Sequence, residues 1–368
     1  MHMRIGIDAR ILKYPNYKGI AYTTWRIIQN WAAGTSGHQY VLMSDAELCL
    51  PERLPGNWRI VVKKALPGGL LWEETVLPGL VQQNGIDVFW GPNFLLPRKV
   101  RGCPYVVTVH DLGLFRYPGT ASVATAAILR LSGKRSCQRA EKVIAISRST
   151  ARDVHELFGI PQEKITVCYN GADGCRTGTS GRTQKGRPYF LFLSTIEPRK
   201  NPETVLAAYE QFMDSARTKV RLVFCGGYGW KTARFRKMLA CNRYREYISV
   251  LGYVTEEQKW RLLKNAVALL YPSLYEGFGL PVLEAFSVGV PVITGAVSSL
   301  PETGGDAAIY LRNPKDAKAL AARMKQVYAM TDKSRAQLHE KMQRQVAKFS
   351  WDKTAANVMA VLQNVLEE

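Results

Sequence analysis

Two glutamates, Glu276 and Glu284, stand eight positions apart around a glycine-rich turn. The apolar run 266–270 before the turn predicts a buried strand, and residues 282–288 after it predict a helix. Glycines tolerate positive φ and let backbone approach a ligand, while Pro281 suits the first helical position. The unpaired N–H groups and the dipole at a helix start favour a phosphate or a sugar oxygen, and a carboxylate can accept two hydroxyl hydrogen bonds. The segment is therefore typical of a site for a polyhydroxylated, phosphorylated ligand.

A plainer interpretation of the same two residues stays open. Glu276 could be a solvated loop residue, and Glu284 could lie on a helix face at the favourable end of the dipole. Residues at other strand ends are needed to decide between the two interpretations.

Charged side chains follow two other predicted strands. His110 comes after strand 105–109, where it could donate to a sugar hydroxyl or be a hydrogen-bonded structural histidine. Arg199 and Lys200 follow strand 189–193 just before a helix. They could bind a diphosphate through a bidentate fork and a point charge, or form a solvated basic pair.

Glycine turns at two further places are weaker signals. Gly226 and Gly227 follow strand 221–225, and Gly19 precedes a helix that runs to about residue 33. Neither turn has the GxGxxG spacing of a dinucleotide site. Because ligands of open α/β sheets bind at the carboxyl ends of strands, these turns remain candidates for the same site.

Strands alternate with helices along two stretches of the chain, which predicts an α/β fold with mostly parallel sheets. Between them, residues 170–188 hold five glycines among Ser, Thr and basic residues, without an apolar period. That composition is typical of an interdomain linker. The predicted organisation is a first domain, a linker, a second domain and a C-terminal helix at 1–172, 173–187, 188–351 and 352–368.

Composition and charge narrow the class of protein. The net charge of +20 is spread along the chain and attracts polyanions, but no helix-turn-helix, RRM or KH signature accompanies it, so no nucleic-acid partner is expected. No apolar run approaches the roughly 18 residues of a membrane span, and we expect no signal peptide. The seven cysteines lack a CxxC pair, which fits reduced thiols in the cytoplasm. The histidines show no metal-ligand spacing, so no metal site is predicted.

Segment 121–140 raises the alternative of a membrane surface. It combines apolar residues such as Ile128 and Leu131 with basic residues such as Arg130 and Lys134. A basic amphipathic segment of this kind can lie on anionic lipid, although an ordinary helix with a solvated basic face is the preferred interpretation. The expected location is cytoplasmic, with a peripheral position on the inner face of the cytoplasmic membrane as the alternative.

Taken in order, these turns resemble the motifs of retaining glycosyltransferases of family 4, which have the GT-B fold. The resemblance covers nearly the whole chain, and the Glu-x7-Glu segment is its most specific part. The fold implied is two Rossmann-like domains facing each other across a cleft, with the C-terminal helix crossing back to the first domain. The matching segments are 109–112, 146–149, 170–171, 197–201, 272–285 and 298–302.

The resemblance implies a role for each candidate residue. The second domain would bind a nucleotide sugar and the first an acceptor. Glu276 would lie near the donor-sugar hydroxyls, and Glu284 would accept the ribose hydroxyls. Arg199 and Lys200 would clamp the diphosphate and stabilise the charge that develops as it leaves. The implied catalytic residues are His110, Arg199, Lys200 and Glu276, and the implied donor-binding residues are Gly19, Gly226, Gly227, Gly277, Phe278, Gly279, Leu280 and Glu284.

The implied reaction is glycosyl transfer with retention of anomeric configuration, and related enzymes need no metal, so no cofactor is expected. The sequence offers no obvious nucleophile for the second face of the sugar. The working hypothesis is therefore a front-face mechanism in which the leaving phosphate helps to deprotonate the acceptor. The 197–201 turn most resembles bacterial mannosyltransferases. GDP-mannose is thus the favoured donor, and a lipid-linked or growing surface glycan is the expected acceptor.

Two departures from the family pattern keep alternatives open. Ser194 and Thr195 stand where many relatives have Gly-Arg, and only Gly19 stands where a Gly-x-Gly or Gly-Gly loop is common. The first departure puts more weight on Arg199 and Lys200. A UDP-glucose, UDP-GlcNAc or dTDP-sugar donor remains an alternative. A non-catalytic sugar-nucleotide-binding relative remains a further one.

Overall fold

The computed structural model describes residues 2–34, 37–64, 69–117, 123–174, 187–217 and 219–367. The chain divides into two compact units: unit 1 comprises 1–171 with 350–368, and unit 2 comprises 172–349. Most of the predicted linker, residues 175–186, lies outside the described residues.

Unit 1 is built on a seven-stranded sheet in which every neighbouring pair is parallel, in the order β3-β2-β1-β4-β5-β6-β7. Short runs of Val, Ile and aromatic residues form these strands, as expected for a sheet buried on both faces. The strands are β1 Arg4–Asp8, β2 Gln39–Ser44, β3 Trp58–Val62, β4 Val88–Gly91, β5 Tyr105–Val109, β6 Lys142–Ala145 and β7 Ile165–Val167.

Helices connect these strands. They are α1 Ile20–Ala33, α2 Gly69–Thr75, α3 Leu77–Gln83, α4 Gly113–Arg116, α5 Val123–Arg139 and α6 Arg148–Phe158.

Unit 2 repeats this plan with six strands, again with every neighbouring pair parallel, in the order β10-β9-β8-β11-β12-β13. The predicted α/β class is thus confirmed. In both sheets the order runs outward from a central pair, β1 and β4 or β8 and β11, which is the Rossmann arrangement. The strands of unit 2 are β8 Tyr189–Leu193, β9 Arg221–Cys225, β10 Ile248–Val250, β11 Ala268–Tyr271, β12 Val292–Gly295 and β13 Ile309–Leu311.

Seven α-helices accompany the strands of unit 2 in the described part of the chain. The helix predicted over 282–288 begins earlier, at Leu280, because Gly279 takes the left-handed N-cap position at φ 104°. Residues 300–304 form a short helix that the sequence analysis missed, since five residues are too few to show a helical period. The helices are α7 Pro202–Ser215, α8 Ala233–Ala240, α9 Glu256–Asn265, α10 Leu280–Ser287, α11 Leu300–Gly304, α12 Ala317–Tyr328 and α13 Asp332–Val346.

The last helix, α14 Trp351–Asn364, belongs to unit 1. It begins at the N-cap Ser350, whose side chain accepts a hydrogen bond from the Lys353 N–H. It packs on α1, where the indole of Trp31 donates to the carbonyl of Ala355 at 3.0 Å. The buried side chain of Val358 joins the core on that side of the sheet.

Candidate active site

Two loops of unit 2 lie side by side at the carboxyl ends of its central strands, β8 and β11. Open α/β sheets bind ligands at the carboxyl ends of their strands, at the point where the strand order reverses. The loop after β8 carries Arg199 and Lys200, and the loop after β11 carries Glu276. Backbone joins the loops, since the N–H of Leu274 donates to the carbonyl of Arg199 at 2.8 Å. Asn201, at φ 60°, donates its side-chain amide to the carbonyl of Pro272 at 3.2 Å and thereby fixes the second loop.

Lys200 and Glu276 form a buried ion pair. The ammonium lies 2.6 and 2.7 Å from the two carboxylate oxygens, and both residues are more than nine-tenths buried. Burial alone would raise the pKa of Glu276, but the charges of Lys200 and Arg199 outweigh it and lower that pKa. Burial lowers the pKa of Lys200, against the opposing effect of Glu276. The plainer interpretation of Glu276 as a solvated loop residue is therefore wrong.

Arg199 sits at the rim of this pair. Its guanidinium donates to the carbonyl of Tyr275 at 3.0 Å and lies 3.1 Å from a carboxylate oxygen of Glu197 and 3.7 Å from one of Glu276. With 19% of its side chain exposed, it is the more accessible of the two adjacent cations. The cluster therefore combines a buried ammonium with a partly exposed planar fork, the two donor types that the sequence analysis assigned to a diphosphate.

The turn between Glu276 and α10 is fixed by serines. The N–H of Glu276 donates to Oγ of Ser298 at 2.9 Å, and Oγ of Ser299 lies 2.9 Å from the carbonyls of both Glu276 and Phe278. Gly277 and Phe278 are buried, and Leu280 is the first residue of α10. The chain around Glu276 is thus held at both ends, which restricts where its carboxylate can move.

Gly226 and Gly227 bring the loop after β9 against the loop after β8. Gly226 has φ 138°, and a Cβ added there would lie 2.0 Å from the carbonyl oxygen of Ser194. The N–H of Ile196 donates to the carbonyl of Gly227 at 2.9 Å. These glycines therefore permit a backbone contact that positions the approach to Arg199.

Glu284 has a partner within the protein that the sequence did not predict. Its Oε1 lies 2.8 Å from the ammonium of Lys259 on α9, and 13% of its side chain is exposed. Burial raises the pKa of Glu284, and Lys259 opposes that rise. Lys259 was not predictable from the sequence, because a lysine in the first turn of a helix cannot be told from a solvated one until its spatial neighbours are known.

His110 and Gly19 lie in unit 1. The His110 ring is buried, and Nε2 lies 2.8 Å from the carbonyl oxygen of Pro92, so Nε2 carries the proton; burial lowers the pKa of the imidazole. Gly19, at φ 51°, is the N-cap of α1 and a Cβ there would meet nothing within 4 Å. The structure thus gives the His110 side chain a structural hydrogen bond within unit 1, and the roles of both residues toward a donor stay predictions.

A second charged cluster, which the sequence did not predict, begins at Asp8, the last residue of the central strand β1 of unit 1. The Arg10 guanidinium lies 2.5 Å from Asp8 and 2.6 Å from Glu73, and also donates to the carbonyl of Gly69 at 2.6 Å. Burial raises the pKa of Glu73 to about 7 despite Arg10. An Asp-x-Arg that begins at the last residue of a buried strand was the available signal.

Helix α5, Val123–Arg139, makes up most of segment 121–140, and residues 121 and 122 lie outside the described residues. Ile128 and Leu131 are 50% and 51% exposed. Within the described ranges, no helix combines the length and apolar character that crossing a membrane requires. No cluster of three His, Cys, Asp or Glu side chains arranged to hold a metal ion occurs in the described part of the chain.

Two family profiles match most of the chain between them. "Glycosyltransferase Family 4" matches residues 17–174, and "Glycosyl transferases group 1" matches residues 179–345.

Similar proteins agree with these profiles. The O-antigen chain mannosyltransferase B of Escherichia coli is 31% identical over 65% of this chain and 64% of its own. The O-antigen chain mannosyltransferase RfbU of Salmonella typhimurium is 26% identical over 61% of each. The chain thus spans about three-fifths of the length of these curated relatives. Among solved structures, a glycosyltransferase from Rickettsia africae superposes with a TM-score of 0.74 at 14% identity, over 100% of this chain and 99% of that one.

Proposed function

The chain belongs to the group 1 glycosyl transferases of family 4 and has the GT-B fold, and we propose that it is an enzyme that transfers a glycosyl group from a nucleotide-sugar donor to a glycan or lipid-linked acceptor. The observation that carries this proposal is the cluster of Arg199, Lys200 and Glu276 at the switch point of unit 2. Two fixed cations beside a fixed carboxylate match a ligand that joins a diphosphate to a polyhydroxylated sugar.

The proposed reaction retains the anomeric configuration. The bond between the anomeric carbon and the diphosphate oxygen breaks, and its electron pair stays on the phosphate. The acceptor hydroxyl oxygen bonds to the anomeric carbon on the same face, and its proton passes to the leaving phosphate. Arg199 and Lys200 would stabilise the charge on the departing diphosphate, so we expect no divalent metal to be needed. The α or β configuration of the product, read by NMR, tests retention.

GDP-mannose is the proposed donor, and a growing surface polysaccharide such as an O-antigen chain the proposed acceptor. The support is the O-antigen mannosyltransferases among the relatives, together with the Glu-Pro-Arg-Lys-Asn turn at 197–201. A peripheral position on the inner face of the cytoplasmic membrane is part of the same proposal, supported by the exposed apolar and basic residues of α5.

A donor screen tests the proposal without the acceptor. GDP-mannose should raise the melting temperature more than UDP-glucose, UDP-GlcNAc or dTDP-rhamnose at the same concentration, because a ligand that binds the folded state more tightly stabilises it more. Slow release of free GDP from GDP-mannose should accompany binding. A larger shift with another donor would replace the mannose assignment, and binding without any donor turnover would favour the non-catalytic alternative. No shift with any nucleotide sugar would reject the function.

A further inference from the structure

Lys259 occupies an unfavourable place for a cation unless it has acidic partners. It is the fourth residue of α9, near the end of the helix where the dipole is positive and disfavours cations. Two carboxylates offset this: Glu256 on the same turn and Glu284 on α10, each with an oxygen 2.8 Å from the ammonium. Only 16% of the Lys259 side chain is exposed, so it is a packed part of the structure.

The two acidic partners of Lys259 differ in environment. The Glu256 side chain is 71% exposed, whereas that of Glu284 is 13% exposed. An exposed ion pair contributes little, while a buried carboxylate without its cation is costly. The contact with Glu284 is therefore the one that accounts for the position of Lys259.

The geometry of the pair is one-sided. Lys259 contacts Oε1 of Glu284, and Oε2 has no hydrogen-bond partner in the protein among the described residues. Glu284 lies four residues beyond Leu280, which is about 6 Å along α10 from its first residue. That separation suits a ribose attached to a diphosphate bound near the start of α10.

We propose that Lys259 is a positioning residue for ribose recognition: by holding Oε1 of Glu284, it presents Oε2 to the 2′- and 3′-hydroxyls of the nucleotide. The inference rests on the proposed function, because it takes a nucleotide as the ligand that binds at the carboxyl ends of the unit 2 strands. Lys259 lies on α9, whereas Glu284 lies on α10, and Lys259 acts on the nucleotide only through Glu284.

Discrimination between ribose and deoxyribose is the direct readout. Dissociation constants of GDP, UDP and their 2′-deoxy forms would be measured by calorimetry. We expect the wild-type protein to bind the favoured ribonucleotide about tenfold more tightly than its 2′-deoxy form, as for one hydrogen bond to a charged group. Lys259→Met should bring the ratio to within about twofold, and Lys259→Arg should restore most of it. Adding Lys259→Met to Glu284→Gln should change the ratio no further.

The controls separate this role from a purely structural one. Arg261→Met removes an exposed cation two residues further along α9 and should leave the ratio unchanged. A general loss of packing would weaken both nucleotide forms equally and keep the ratio. An unchanged ratio in Lys259→Met, or a wild-type protein that binds both forms equally, would overturn the inference while the proposed function stands. Failure of the wild-type protein to bind either GDP or UDP would overturn both.

Discussion

The ammonium of Lys200 contacts both carboxylate oxygens of Glu276, at 2.6 and 2.7 Å. These residues follow the two central strands of unit 2, and in the proposed reaction they act on different parts of the donor. A diphosphate that binds Lys200 must therefore share the ammonium with Glu276. Arg199, already 3.7 Å from Glu276, is the group that can compensate. Donor binding and the charge state of Glu276 are thus coupled through one buried pair.

Glu276→Gln should abolish most transfer while keeping the fold. The amide keeps the shape of the side chain but removes the charge that orients Lys200 and Arg199, so we expect turnover of the donor to fall by at least about 100-fold. Initial rates with GDP-mannose would measure this. Glu246→Gln, at an exposed acid of unit 2, should leave the rate unchanged. A rate near that of the wild-type protein in Glu276→Gln would contradict the proposed site.

Glu276→Ala should lower the free energy of unfolding more than Glu276→Gln does. Truncation leaves the buried Lys200 ammonium without any acceptor at this position and opens a gap beside it, whereas the amide oxygen in Glu276→Gln can still accept from Lys200. We expect a loss of about 3–5 kcal/mol in the free energy of unfolding, as when one partner of a buried ion pair is removed. Urea denaturation of both variants would measure the difference. Equal stability of Glu276→Ala and the wild-type protein would mean that the ion pair is not maintained in solution.

Gly226→Ala should disturb the Arg199 loop from a distance. The added Cβ would lie 2.0 Å from the carbonyl oxygen of Ser194, a backbone atom that cannot move without shifting the loop after β8. We expect weaker nucleotide-sugar binding and a lower melting temperature. Gly252→Ala is the matched control, since it also has positive φ, at 68°, but its Cβ would meet nothing within 4 Å. It should cost about 1–2 kcal/mol of strain and leave donor affinity unchanged. The same loss of affinity in both variants would show that strain, and not the clash, is responsible.

The sequence was most informative at charged residues that directly follow a predicted strand. Arg199, Lys200 and Glu276 were all found from their place after buried apolar runs, and the alternation of strands and helices predicted both sheets. The pairing of Glu284 with Lys259 was not predictable, because their helices are joined only by tertiary packing. The same holds for Arg10 and Glu73, which are 63 residues apart in the chain and meet across a buried contact. Sequence periodicity reports which face of an element is buried, but not which charged side chain another element brings to it.

Glu73 should make the protein less stable as the pH rises toward 7. Burial, opposed by Arg10 and reinforced by Asp8 and Glu74, raises the pKa of this carboxyl from 4.5 to about 7. Between these values the folded state holds a proton that the unfolded state has released, so the free energy of unfolding falls as pH increases. The loss should be on the order of 3 kcal/mol between about pH 4.5 and pH 8.

Glu73→Gln should remove this dependence on pH. The amide can still accept from Arg10 but does not ionise, so its unfolding free energy, followed by urea titration at several pH values, should be flatter than that of the wild-type protein over this range. Glu47→Gln, at an exposed acid of unit 1, should keep the wild-type profile. Parallel profiles for Glu73→Gln and the wild-type protein would mean that Glu73 is ionised throughout the range.

The exposed face of α5 should bind anionic membranes through two separable effects. Ile128 and Leu131 are three residues apart, so they share a helix face, and each is about half exposed; Arg130, Lys134 and Arg135 are exposed beside them. Ile128→Ser with Leu131→Ser should weaken sedimentation with phosphatidylglycerol vesicles at both low and high salt, because apolar insertion is not screened. Lys134→Gln with Arg135→Gln should weaken it roughly 30-fold at low salt only, since each basic residue near the surface contributes about 1 kcal/mol that salt screens. Leu251→Ser, at an exposed apolar residue of unit 2, should have no effect. If the wild-type protein stays in the supernatant with anionic vesicles at low salt, α5 is an ordinary helix with a solvated basic face.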